Sequence, residues 1–308
     1  MPIFYTVLPI FLAIAAGYAL RRTGVVPADG WSAINLLCYR VLFPVAIVEA
    51  IAPADLSFGG VIPLVAVIMG SLGLVAALVV ALRGPLRRAG VGDPAFTTLF
   101  AVATRWNGFM ALAAAELYLG DAGVTILALI MALSIPLINI ANIVILVAHG
   151  SAAVSVRMML LAIAKNPIVI GCVIGLVLNR LPVPLEGWPM DTLDLVGRAA
   201  LGVALLAVGG GVSLRRLSSV SAPLVLGIAA RPVLLMALAA VLGWMVGLDR
   251  FEILIAALVF AVPTAANGYV IAREMGGDSG LYADIMTWQV VLSLAVLPLA
   301  FAIVGLPV

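Results

Sequence analysis

The chain has 308 residues, 65% of them hydrophobic and 10% charged, with a mean hydropathy of +1.28, whereas about a quarter of the residues in soluble domains are charged. This excludes a water-soluble globular domain, and a net charge of +2 from 16 basic and 14 acidic residues excludes the clustered basic face of a nucleic-acid binder. A bilayer-spanning helix takes about 20 apolar residues, so the length fits a multi-pass membrane protein with short loops.

In chain order, cuts at clusters of charge, Gly and Pro predict ten apolar helices, near 3–20, 33–52, 61–82, 95–118, 122–148, 160–179, 192–213, 222–247, 251–273 and 281–304. The opening MPIFYTVLPI lacks a basic n-region and reads as the first helix, not a cleaved signal peptide. Cys38 and Cys172 are the only cysteines and lie in apolar stretches, which excludes a disulfide framework or a CxxC motif. Alternate connections carry Arg21, Arg22, Arg83, Arg87, Arg88, Arg157, Lys165, Arg215, Arg216 and Arg273, whereas the intervening ones hold Arg180 and Arg250. The intervening loops collect Asp55, Glu116, Asp121, Glu186, Asp191, Asp194, Asp249 and Glu252. Because cytoplasmic loops retain Lys and Arg, this asymmetry predicts a cell (inner) membrane protein with both termini on the outer side.

The segments also repeat. FAVATRWNGF at 100–109 matches FAVPTAANGY at 260–269 without a gap, six identities in ten. Flanking it, PIFLAIAAGYALRR (9–22) aligns with PIVIGCVIGLVLNR (167–180), and RVLFPVAIV (40–48) with RAALGVALL (198–206). The predicted fold is therefore all-α and integral to the membrane, with ten transmembrane helices as two five-helix copies, 1–150 and 160–308. An odd helix count inverts the second copy, the usual architecture of secondary transporters, whose substrate sits between discontinuous helices near the midplane.

The matched segments, fourth and ninth in order, each carry unusual residues halfway along: Thr104, Arg105, Asn107 and Gly108 in one, Pro263, Thr264, Asn267 and Gly268 in the other. Pro removes a backbone donor and Gly permits non-helical dihedrals, so both helices are expected to break there. Broken ends expose N–H groups beside a positive partial charge, which suits a carboxylate; kinks satisfied by neighbouring helices are the alternative. Arg105 has Ala265 at its repeat-related position, and a mid-membrane guanidinium either grips an anionic substrate or pairs with Glu49 or Glu116. Glu49, among apolar neighbours, is the candidate site for a coupling proton or ion, and Arg231, deep in the eighth segment, either pairs with Glu49 or lines the pathway. Arg40 and Arg198 are expected to snorkel, and Asp284 and His149 to be hydrated, His149 in a loop. With one His, no HExxH and no paired aspartates, the chain is not read as an enzyme. No cofactor is expected beyond a possible coupling proton or sodium ion.

The whole chain resembles the auxin efflux carrier family, the PIN-like transporters of the bile acid/auxin/arsenite transporter superfamily. The resemblance rests on YALRRTGVVP after the first helix, KNPIVIGCVIGLVLN opening the sixth, and AVPTAANGYVIAREMGGD in the ninth, with Pro263, Tyr269, Ala272, Arg273 and Glu274 matching the family's crossover pattern. It implies that the fourth and ninth helices cross, that helices 1, 2, 6 and 7 form a scaffold and helices 3–5 and 8–10 a transport part, and that homodimers are frequent. It also implies elevator-like alternating access, with Asn107 as the carboxylate-meeting asparagine and Pro263 as the crossover proline. Where plant carriers have a Pro before that asparagine, this chain has Trp106, and Arg105 before it favours a more anionic substrate. The expected function is secondary transport of small organic anions: mono- or dicarboxylates such as malate or malonate, or auxin-like acids. The alternatives are a channel-like anion permease and a sodium-coupled, bile-acid-like symporter.

Overall fold

The structure, a computed structural model, describes residues 3–27, 29–54, 61–149, 157, 160–161, 164–181, 187–212, 221–265, 268–274 and 276–304. Asp55, Glu186, Arg215 and Arg216 of the charge asymmetry lie outside the described residues, as does Asn267 of the ninth segment. Regular structure among the described residues is helical: α1 (Ile3–Thr23), α2 (Gly30–Ile51), α3 (Val61–Ala81), a short α4 (Arg83–Arg88), α5 (Asp93–Thr104), α6 (Gly108–His149), α7 (Pro167–Arg180), α8 (Trp188–Gly211), α9 (Ala222–Met245), α10 (Arg250–Ala261), α11 (Gly268–Glu274) and α12 (Ser279–Val304). Among the described residues, six helical runs are long and apolar enough to cross a membrane: α2, α3, the α5–α6 run, α8, α9 and α12.

Local chemistry sets many of the ends. Asn166 and Ser221 cap α7 and α9 by accepting from Ile168 N–H (3.0 Å) and Leu224 N–H (3.3 Å), each just ahead of a proline in the first turn. Asp249 and Glu252 form a reciprocal capping box at the start of α10. Hydrogen bonding runs on from Gly108 to His149, yet Gly120 at φ 60°, ψ −162° turns the chain, a conformation that glycine adopts without steric cost. The turn falls between two segments that the sequence separates. His149 was expected in a solvated loop; it instead closes α6, half-buried, its ring 4.9 Å from that of Phe96.

The apolar exterior is that of a protein solvated by lipid. Leu12, Ile62, Leu74, Val225, Val233 and Leu299 project outward from their helices, and exposed apolar surface of that extent does not persist in water. Trp188 and Trp244, 80% and 77% exposed, lie at the ends of α8 and α9 beside acidic connections, where indoles favour a membrane–water interface.

Inside, α1, α2, α7 and α8 pack closely on one another, and glycine is the reason. A Cβ on Gly17 would lie 2.0 Å from Leu206 O, and one on Gly209 would lie 1.9 Å from Ile14 O, so α1 and α8 touch backbone to backbone. Gly171 and Gly175 meet Pro44 and Ile51 of α2 at 2.9 Å. Small residues at such seams let helices associate without help from water exclusion. Gly209→Ala should therefore lower stability by about 1–3 kcal/mol, the usual cost of overpacking, because the obstacle is backbone and cannot rotate away. Gly202→Ala, with open space around it, should melt like wild type; equal thermal unfolding of the two variants would contradict this packing account.

Candidate functional site: two broken helices that meet

Helix α5 stops at Thr104, Arg105 is extended (φ −78°, ψ 143°), and α6 begins at Gly108. Helix α10 stops at Ala261 with Val262 extended (φ −76°, ψ 153°), as the residue before Pro263 must be. The chain resumes as α11 at Gly268. The matched motifs thus both break, but not in register: the second copy leaves the helix earlier because it carries Pro263 where the first carries Ala103. Thr104 is still helical and hydrogen-bonds back to Phe100 O (2.8 Å), whereas its counterpart Thr264 has already left the helix.

The two breaks touch. Asn107 N–H donates to Pro263 O at 2.8 Å, joining segments that lie far apart in sequence. Asn107 Oδ1 accepts from Phe109 N–H (3.1 Å) and Met110 N–H (3.2 Å), Gly108 N–H reaches Trp106 O (3.1 Å), and Ala111 N–H reaches Asn107 O (3.1 Å). This corrects the expectation of N–H groups exposed for a carboxylate at the first break: Asn107 caps its own half-helix, and the first four donors of α6 are already occupied. In the second break, Thr264 N–H donates to Gln289 Oε1 (2.8 Å), and Gln289 Nε2 donates to Gly227 O (2.9 Å). Thr264 Oγ1 lies 2.8 Å from Tyr282 Oη, which donates to Ala265 O at 2.7 Å. A side chain on Gly268 would collide with that phenol, 2.0 Å away.

The carboxyl ends of both half-helices meet Arg231. Its Nη1 donates to Ala103 O (3.4 Å), Nη2 to Val259 O (2.7 Å) and Nε to Val262 O (3.2 Å), with the guanidinium 5.7 Å from the Phe260 ring centroid. The side chain is fully buried, carried on a π-helical turn of α9, Ala229–Leu235, that also contains Pro232; such turns often mark functional positions. Arg231 therefore binds backbone carbonyls and not Glu49. Glu49 stands half-buried over Gly197 on α8, where the charges around it are Asp194, Glu116, Arg198 and Asp121. None of these belongs to either break, so the two coupling candidates are not brought together. Arg40 is exposed, and Arg198 is exposed and paired with Asp194 at 2.6 Å.

Arg105 is 5% exposed. It lines a small cavity with Thr97, Thr98 and Ala101 of α5, Asn142 and Leu146 of α6, and Gly268, Ile271 and Ala272 of α11. Its field acts on Tyr39 and Tyr282, while Glu49 and Glu116, the carboxylates suggested by sequence, face Arg198. Of the expected site residues, Arg105 and Gly268 line the cavity, Thr104 stands behind it, and Asn107, Pro263 and Thr264 build the two breaks. Sequence reading missed Asn142, whose Nδ2 donates to Thr104 Oγ1 (2.9 Å) and Ile138 O (2.8 Å), as well as Gln289 and Tyr282. Buried amides and a phenol in otherwise apolar helices were the available signal. Thr98 Oγ1 and the Asp278 backbone exchange hydrogen bonds of 3.0 and 3.1 Å, tying α5 to the turn before α12 below the cavity.

Among the described residues no group of three or more His, Cys, Asp or Glu is placed to hold a metal ion. Gln289→Leu would leave the Thr264 N–H and the Gly227 carbonyl unsatisfied, at about 1–3 kcal/mol each. It should lower the unfolding temperature more than Gln289→Glu, which keeps the acceptor; the reverse order would remove Gln289 as the brace of the second break.

Compared with known proteins, the chain matches no curated protein, but residues 124–301, more than half its length and including the whole second break, fit the model of the membrane transport protein family. The two broken helices that meet in an apolar, lipid-facing bundle accord with that match, and the chain belongs to the membrane transport protein family, that of the auxin efflux carriers and PIN-like transporters.

Proposed function

We propose that this transporter is a secondary carrier of small organic anions, mono- or dicarboxylates, which bind at the crossover with Arg105 as the charge receptor. The observation that carries the reading is a guanidinium buried at the break of a half-helix and facing a cavity. Guanidinium grips a carboxylate through two parallel bonds, so its place on the cavity wall suits an anionic solute. Thr98 and Asn142 add polar atoms to the same lining, while Leu146, Ile271 and Ala272 offer an apolar wall for a short carbon skeleton. Asn107 and Pro263 serve the site by holding its geometry, and Asn267 is taken as the second amide.

The two five-helix copies are read as an inverted repeat of ten crossings with elevator-like exchange in a homodimer. The glycine-seamed group α1, α2, α7 and α8 supports a rigid scaffold, against which the part built from α3, α5, α6 and α9–α12 would slide. The cavity lies toward the ends that carry Arg83, Arg87, Arg88 and Arg273, which by the charge rule is the cytoplasmic side. The conformation is accordingly read as inward-facing.

The test is counterflow in proteoliposomes loaded in turn with malate, malonate, succinate, lactate and indole-3-acetate. At least one acid should exchange, and Arg105→Ala should lower its exchange at least about tenfold, the loss of one charge-assisted contact, while Arg105→Lys retains part. Leak without counterflow would replace the carrier by a channel-like permease. A folded protein that exchanges none of these acids would end the organic-anion reading.

A further inference from the structure

A crossover of broken helices brings two kinds of end to one place. The amino ends carry about half a positive charge and the carboxyl ends about half a negative one. In transporters with discontinuous helices, the carboxyl ends and unwound carbonyls are where a coupling cation is held. Here those carbonyls are Ala103 O from α5 and Val259 O and Val262 O from α10, and the guanidinium of Arg231 donates to all three. Two half charges amount to about minus one, which one guanidinium neutralises, and Arg231 is completely shielded from solvent.

We infer that Arg231 is a built-in cation that occupies the place of a coupling sodium ion between the two half-helix carboxyl ends, so that the crossover binds no inorganic cation. The donors are suited to this. Arginine stays charged and presents a rigid planar fork, so it can bridge two chain segments that a single metal ion would have to gather. Arg231 is also a positioning residue. Ala103 lies two residues before Arg105, and Val262 directly precedes Pro263, whose carbonyl receives the Asn107 N–H. Fixing these carbonyls fixes both breaks and screens their negative ends from a neighbouring anion. The inference rests on the crossover geometry alone and stands or falls independently of which solute is carried.

The experiment is thermal unfolding of the purified full-length protein in NaCl, KCl or choline chloride at constant ionic strength, without and with low millimolar guanidinium chloride. Wild type should melt at the same temperature in all three salts and gain nothing from guanidinium. Arg231→Ala should melt several degrees lower and recover in a saturable manner with guanidinium or sodium, a rescue that the loss of mere packing would not produce. A saturable rise of the wild-type melting temperature with sodium over choline would overturn the inference, as would an Arg231→Ala variant that melts like wild type or is rescued by neither cation. Should Arg231→Ala not yield folded protein, Arg231→Lys and Arg231→Gln decide. Both lose the planar fork and differ in charge, so Lys melting above Gln supports a resident cation, and equal melting of the two refutes it.

Discussion

Inside a bilayer every backbone polar group has to be satisfied by the protein itself, and interrupting two helices in the buried interior of such a bundle turns that rule into the constraint on which this structure depends. Each break strands donors on one side and acceptors on the other. Carbonyls at the ends of both half-helices converge on Arg231, the donors of α6 are taken by Asn107 and Trp106, and Thr264 N–H is met by Gln289. The bond from Asn107 N–H to Pro263 O then makes the two solutions a single one, since neither break can shift without disturbing the other. Arg105 takes its position from this network and faces the cavity beside Asn142 and Thr98.

The rest of the bundle separates into two kinds of packing. Where α1, α2, α7 and α8 meet, glycines remove the side chains and backbones come into direct contact, a seam that tolerates little sliding because no rotamer can adjust. Around the two breaks the contacts are hydrogen bonds among amides, hydroxyls and carbonyls together with larger side chains such as Phe260, Tyr282 and Met131. Gly108 and Gly268 each begin a half-helix; a side chain on Gly268 would strike the rigid Tyr282 ring, whereas one on Gly108 would meet the flexible end of Met131.

Much of this was legible in the residues themselves. Apolar runs of about membrane thickness specify the helices, and the starts expected at 222 and 251 fall beside the capping residues Ser221 and Asp249. The matched motifs announced both breaks, and the Asn-Gly and Pro positions identified where each would fall. The partners were not legible. That Arg231 seeks the carbonyls of Ala103, Val259 and Val262 and ignores Glu49, that Asn142 stands behind Thr104, and that Gln289 receives Thr264 are long-range matters, because the groups concerned are separated by 25 to 128 residues. The expectation of open N–H groups at the first break failed because Asn107 gives its backbone N–H to Pro263 O and its side-chain oxygen to the start of α6.

The sequence by itself determined the membrane class, the helical secondary structure and the position of both interruptions, because hydropathy, proline and glycine act on the chain locally and identically wherever it folds. Only the tertiary structure decided how each buried charge is satisfied. A guanidinium in a low-dielectric interior takes the nearest set of acceptors that compensates it, and whether these are carboxylates, carbonyls or the wall of a cavity is a matter of which helix ends the bundle brings within hydrogen-bonding reach.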